Sequence, residues 1–152
     1  APVLRGIELL LAADIRYTAA HATFGLPEVK WAIYPFDGAA AKLIHQIDHV
    51  HAIKLLLSAE NIDAAEAARI GLVNEVVAAE HLIERSIATA ESIASNSPMA
   101  VQAVKQFVAT GAAKQAEARE PFEQALGDAV RASPDFIEGI AAFRERRQPS
   151  YE

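Results

Sequence analysis

Two glutamates stand in strongly apolar stretches of this chain. Glu8 interrupts the run Ile7-Glu8-Leu9-Leu10-Leu11-Ala12-Ala13, and Glu28 follows Pro27 in Gly25-Leu26-Pro27-Glu28-Val29. A carboxylate without a partner is costly in such surroundings, so its neutral form is favoured. Two carboxyls whose environments set different protonation states can divide proton-transfer work, one as acid and one as base. His45, Asp48, His49 and His51 form a second cluster of chemistry-bearing residues. A His pair at i, i+4 can face one metal when both sit on a single helix. Here the second half of the cluster falls where a helix is expected to end, so surface histidines are the expectation and no metal site is assigned.

The composition bounds what those residues can serve. With 152 residues the chain suits one domain, or a core with a small appendage. Apolar residues make up 52%, enough for a hydrophobic core. The net charge of −6, with basic residues dispersed apart from one C-terminal cluster, argues against broad nucleic-acid binding. A local basic patch could still hold one small anion. There is no cysteine, which excludes disulfides, thiolate zinc sites and thiol nucleophiles, and fits a cytoplasmic protein. The opening apolar run is too short to span a membrane and carries a carboxylate. It also begins with no strand before it, as if the start of the domain lay elsewhere.

The elements that must position these residues are mostly helical. The opening run predicts a helix ending before Asp14. Ile15 to Thr18 alternates like a strand, and Thr23 to Leu26 reads as another. Pro27 sets Glu28 at a bend or strand edge. Val29 to Ile33 suits a short buried piece. Helices are expected over 39–47 and 52–59, and a capping-box start at Asp63 with Glu66 opens a short helix that stops at Gly71. Val73 to Val77 is the clearest strand. Beyond Ala79 the chain reads as helix throughout, restarting at Ser97-Pro98, interrupted at Gly111, resuming around Phe122 and Leu126, and reopening at Ser133-Pro134. The expected organisation is a mixed α/β piece over 1–96 and a helical segment over 97–152. The first piece has too few strands to close a sheet alone.

Four segments carry a family resemblance. They are Gly6 to Arg16 (GIELLLAADIR), Ala22 to Glu28 (ATFGLPE), Ile62 to Asn74 (IDAAEAARIGLVN) and Ser133 to Arg147 (SPDFIEGIAAFRERR). In this order they resemble the crotonase superfamily, and most closely its enoyl-CoA hydratases. The resemblance implies an α/β fold, a partial ββα spiral core followed by an all-helical C-terminal segment. The family's first portion is absent from the chain. The implied activity is reversible syn addition of water to a 2-enoyl-CoA, with the coenzyme A thioester as substrate and no further cofactor. Glu8 would bind and activate the water, and Glu28 would act at Cα.

Other residues take roles from the same resemblance. The backbone N–H of Arg5 would be one oxyanion-hole donor, although Leu4-Arg5-Gly6 replaces the family's consecutive glycines. Gly6, Pro35 and Gly38 would lie against the acyl thioester, with Phe36-Asp37 departing from the family's smaller residues. Phe143, Arg146 and Arg147 would meet the adenosine end of coenzyme A, since cations suit phosphates and an aromatic ring suits adenine. The family assembles as trimers or dimers of trimers, which implies a homo-oligomer. Two further readings are an enoyl-CoA isomerase, and an acyl-CoA-binding or oligomer-forming module that has lost catalysis. Retention of both Glu8 and Glu28 favours hydration over isomerisation.

Overall fold

The computed structural model describes residues 6–36 and 38–151, with residues 112–117 given by their backbone alone. Helix α1 (Gly6–Ala12) buries Ile7 and Leu11, one turn apart on one face. It ends before Asp14, as expected. Strand β1 (Tyr17–Ala19) begins two residues later than the alternation predicts. The cause is Arg16, whose backbone N–H donates to Asn74 Oδ1 at 2.7 Å and whose side chain turns into the core. Strand β2 (Thr23–Phe24) is cut short before Pro27, and Glu28–Trp31 form a single turn of 3-10 helix.

Helix α2 (Ala39–Gln46) presents Ala39 and Leu43 to the core, and Ile47 follows from its end. Helix α3 (His49–Ser58) starts three residues earlier than expected, because Asp48 serves as its N-cap position. Asp48-His49-Val50-His51 therefore opens a helix instead of closing one. Strand β3 (Ile62–Asp63) leads into α4 (Ala64–Arg69), where Asp63 Oδ1 accepts the Glu66 N–H at 2.8 Å. Gly71 follows at φ 78°, a left-handed conformation that favours glycine. Strand β4 (Glu75–Val77) is shorter than the apolar pattern suggests, since Leu72, Val73 and Asn74 are spent on the turn out of α4.

The strands make two small ladders. β1 pairs parallel with β4, Tyr17 opposite Glu75 and Ala19 opposite Val77, and β2 pairs antiparallel with β3. The connection from β1 to β4 carries α2, α3 and α4. Those helices and α1 enclose the core of Leu26, Leu43, Leu55, Leu56, Leu72 and their neighbours.

Past a short 3-10 turn, α5 (Leu82–Ala94) lies beside β1 and β4. It docks through polar groups: Tyr17 and Thr89 share a hydrogen bond of 2.7 Å, and Arg85 donates to Glu75 at 2.9 Å. Helix α6 (Pro98–Arg131) is one continuous element of 34 residues. Ser97 caps it as expected, but neither Gly111 nor Pro121 divides it. The expected interruption at Gly111 is thus absent: glycine lowers helix stability by only about 1 kcal/mol, which contacts at both ends of a long helix can offset. Helix α7 (Pro134–Glu145) is capped by Ser133 and folds back onto the 3-10 turn that carries Glu28.

Candidate active site

The site is built on two short elements. Glu8 stands in the first turn of α1, half-buried, above the Ile7 and Leu11 anchors. Glu28 opens the 3-10 turn after Pro27 and is only 7% exposed. Its Oε2 is buried with no hydrogen-bond partner among the described residues. Burial pushes the Glu28 carboxyl above the ordinary carboxylate range; a hydrogen bond with its own backbone partly offsets this, and the charge of Glu8 raises it further. The two carboxyls therefore feel one another. One is held toward its proton-bearing form, and the other supplies part of the reason.

The turn beneath Glu28 is held rigidly. Ile33 N–H donates back to the Glu28 carbonyl at 3.0 Å, and Ala32 closes the turn at φ 50°. A left-handed alanine is uncommon, and strain of this kind persists where surrounding structure over-determines the backbone. The surroundings here come from α7. Gly139 lies so close that a Cβ on it would stand 2.2 Å from the Trp31 carbonyl oxygen. Tyr151 donates its hydroxyl to the Lys30 carbonyl at 2.7 Å. Phe143 meets Trp31 edge to face, with ring centroids 5.2 Å apart.

The next segment is clasped by α6. Pro35 is buried, and Gly38 begins α2 at φ 73° with its N–H donating to Glu123 Oε1 at 3.2 Å. Phe36 turns outward onto α6. A Cβ at Gly127 would fall 1.8 Å from the Phe36 ring, and the Arg131 guanidinium covers that ring at 4.7 Å. Between this segment, α3 and the α6–α7 elbow lies a cavity of about 700 Å³, lined by Val29, Ile33, Tyr34, Leu56 and Val130 among others. It abuts the turn that holds Glu28, through Val29 and Ala32.

The remaining candidate residues are distributed as follows. Gly6 is the first described residue of α1, and Arg5 lies outside the described residues. Phe143 packs on Trp31, so part of its ring surface is already taken. Arg147 is bound by Glu138 and Glu145, and the Glu138 carboxyl is lowered to about 2 by that guanidinium and by the Ser150 N–H. Arg146 caps α7 in a left-handed conformation and is exposed. A phosphate reaching Arg147 would compete with two carboxylates, whereas Arg146 points to solvent. His45 ends α2 while His49 and His51 open α3, so the histidines do not share one helix face. Among the described residues no group of three His, Asp or Glu side chains is arranged to hold a metal ion.

Sequence reasoning missed Gly127 and Gly139, whose importance lies in what they touch across the fold. It also missed Arg16 as a core residue. The signal was present only as a cation between two apolar positions, Ile15 and Tyr17.

Comparison with known proteins agrees with this architecture. The sequence pattern described as enoyl-CoA hydratase/isomerase matches residues 5–152. The chain is 35% identical over 147 residues to enoyl-CoA hydratase EchA19 of Mycobacterium tuberculosis, covering 97% of this chain and 55% of that protein. It is 38% identical to the (E)-benzylidenesuccinyl-CoA hydratase of Thauera aromatica, covering 96% of this chain and 57% of that one. Among solved structures, EchA1_1 from Mycobacterium paratuberculosis superposes with a TM-score of 0.87 at 34% identity, over 97% of this chain and 57% of that one. The chain spans about half the length of the curated relatives it matches. The architecture is the partial spiral core and helical segment that the resemblance implied.

Proposed function

Because the chain belongs to the enoyl-CoA hydratase/isomerase family, we propose that it provides the two-carboxylate site of an enoyl-CoA hydratase-type lyase, adding water reversibly and syn across a 2-enoyl-CoA thioester. The observation that carries this reading is the buried, unpartnered Oε2 of Glu28 beside the charge of Glu8. A carboxyl whose proton-bearing form is favoured by burial can donate its proton to Cα as the thioester takes on enolate character. Glu8, half-buried and nearer solvent, is suited to orient and deprotonate the water that attacks Cβ. Run in reverse, the same pair dehydrates a 3-hydroxyacyl-CoA: Glu28 takes the proton from Cα and Glu8 returns one to the departing hydroxyl. Two carboxyls are more than double-bond relocation needs, which favours hydration over isomerisation.

Other parts of the reading rest on the same resemblance. The Arg5 N–H is assigned to the oxyanion hole, and Gly6, Pro35 and Gly38 to the thioester's surroundings. Phe143, Arg146 and Arg147 are assigned to the adenosine end, with Arg146 the best placed. The coenzyme A thioester is substrate, and no separate cofactor is assigned. Residues 97–152 are taken as the helical segment laid over a core of 1–96. A homo-oligomer and a cytoplasmic location belong to the same proposal.

The deciding experiment is Glu28→Gln in the full-length protein, followed by loss of the enoyl-thioester absorbance. Removing a general acid should slow turnover by roughly a hundredfold or more. Turnover equal to that of the parent would end the proton-transfer role.

A further inference from the structure

The described part of helix α1, Gly6–Ala12, is seven residues long, and a segment this short takes its orientation from what packs against it. Its N-terminal half carries Glu8, and its C-terminal half ends on a single buried cation. Arg16 is 9% exposed. Its Nε donates to the Ala13 carbonyl at 2.9 Å and its Nη1 to the Leu72 carbonyl at 3.0 Å. Its Nη2 donates to Gln46 Oε1, and Gln46 Nε2 in turn donates to the Leu11 carbonyl at 3.1 Å. The Arg16 backbone is fixed to Asn74 by a reciprocal pair of 2.7 and 2.8 Å.

This arrangement is unusual for a buried cation. Among the described residues, none of its hydrogen bonds ends on a carboxylate. Asp14, the acid close enough to act on it through space, is exposed and engaged by Lys105. A buried guanidinium bound only by neutral carbonyl groups costs desolvation, which here holds its pKa below the usual arginine range. What the network provides is connection. It joins the end of α1, the end of α2 and the turn after α4 through one planar fork. The carbonyls at the end of α1 are also the negative end of its dipole, which a cation complements.

We propose that Arg16 and Gln46 are positioning residues for Glu8: together they fix the tilt of α1 and so set the Glu8 carboxyl against Glu28. This inference rests on the hydratase reading for its kinetic consequence. Its structural consequence, the coupling of two carboxyls, can be read without turnover.

Two substitutions at Gln46 isolate the link to α1. Gln46→Glu keeps the acceptor for Arg16 but loses the donor to Leu11, and Gln46→Met loses both. Each is compared with Arg16→Lys, which keeps the charge and loses the fork. Carboxyl carbon NMR of Glu28 is the first readout, recorded on the parent and on each folded variant. With α1 released, Glu8 no longer sits at its fixed distance, and the Glu28 titration moves toward the ordinary glutamate range in both Gln46 variants. Because Gln46→Glu adds a charge and Gln46→Met removes a polar group, a shared direction identifies the lost tether as the cause. The second readout is turnover in the full-length protein. Misplacing a reacting group should lower kcat roughly ten- to hundredfold with KM within about twofold, and Arg16→Lys should lower kcat likewise although it keeps the charge. Variants that melt earlier but keep the parent's Glu28 titration and kcat would overturn the proposal and leave a purely structural arginine. If the parent hydrates no enoyl-CoA, the hydratase reading fails, and the NMR titration alone still decides the positioning role.

Discussion

At the scale of single residues, the chemistry concentrates on a carboxyl that folding prefers to keep neutral. Glu28 has a folded-state pKa above its unfolded value, with burial the larger cause. The sign follows directly. Below the unfolded pKa, near 4.5, the group is protonated in both states and burying it carries no ionisation penalty. As pH rises toward the folded pKa, the unfolded chain ionises while the folded chain resists, and stability falls. Above the folded pKa the full penalty is present. Glu28→Gln should therefore stabilise the chain at pH 7 and lose that advantage at pH 4, as thermal melts at the two values would reveal. A variant no more stable than the parent at pH 7 would mean that Glu28 is solvated after all. A companion prediction uses Glu8. Since its charge raises Glu28 further, Glu8→Gln should lower the Glu28 pKa in an NMR titration, but only part of the way, because burial remains.

At the scale of elements, what the sequence displays is local. Caps are written in adjacent residues, and Asp63, Ser97 and Ser133 each take the N-cap role their type and spacing predict. The two glutamates stood out because a carboxylate in an apolar run is anomalous wherever the run ends up. Elements set by partners far along the chain were not legible. Arg16 shortens β1 because it reaches residues around position 72, and α6 runs through Gly111 and Pro121 because contacts beyond them hold it. The glycines of the helical segment make the same point and can be tested as a pair. Gly139 touches the Trp31 backbone, which has no soft side chain to move aside, so Gly139→Ala should destabilise by about 1–3 kcal/mol or more. Gly111 is exposed with nothing within 4 Å of an added Cβ, so Gly111→Ala should stabilise by roughly 0.5–1 kcal/mol. Denaturant titrations of both variants check the contrast. If Gly139→Ala were as harmless as Gly111→Ala, α7 would not be the clamp on the turn that carries Glu28.

At the scale of the whole molecule, the core is well closed but α5 and α6 are not. Ile83 and Ile87, one turn apart on α5, are 73% and 51% exposed, and on α6 Val104, Phe107 and Val108 are 66%, 82% and 54% exposed. Residues 104, 107 and 108 share a helix face by their i, i+3 and i+4 spacing. Single exposed apolar side chains are ordinary, but two successive helices each presenting an apolar face form the kind of surface that marks an interaction site. The α5 helix docks on the sheet by hydrogen bonds and ion pairs, which leaves its isoleucines unused by the fold. The proposed homo-oligomer gives those faces a partner, and a stable interface needs on the order of 1,000 Å² of buried surface. Sedimentation velocity over a range of concentrations should therefore show self-association. Replacing Phe107 by Glu should shift it toward the monomer while circular dichroism stays unchanged, since this side chain is mostly solvent-exposed and contributes little to the chain's own core. Charge at Ile83 should act in the same direction if both faces enter one contact. A parent chain that sediments as a folded monomer at every concentration would remove the oligomer from the proposal. It would leave the carboxyl pair untouched, because Glu8 and Glu28 are positioned by α1, α7 and the buried arginine of the same chain.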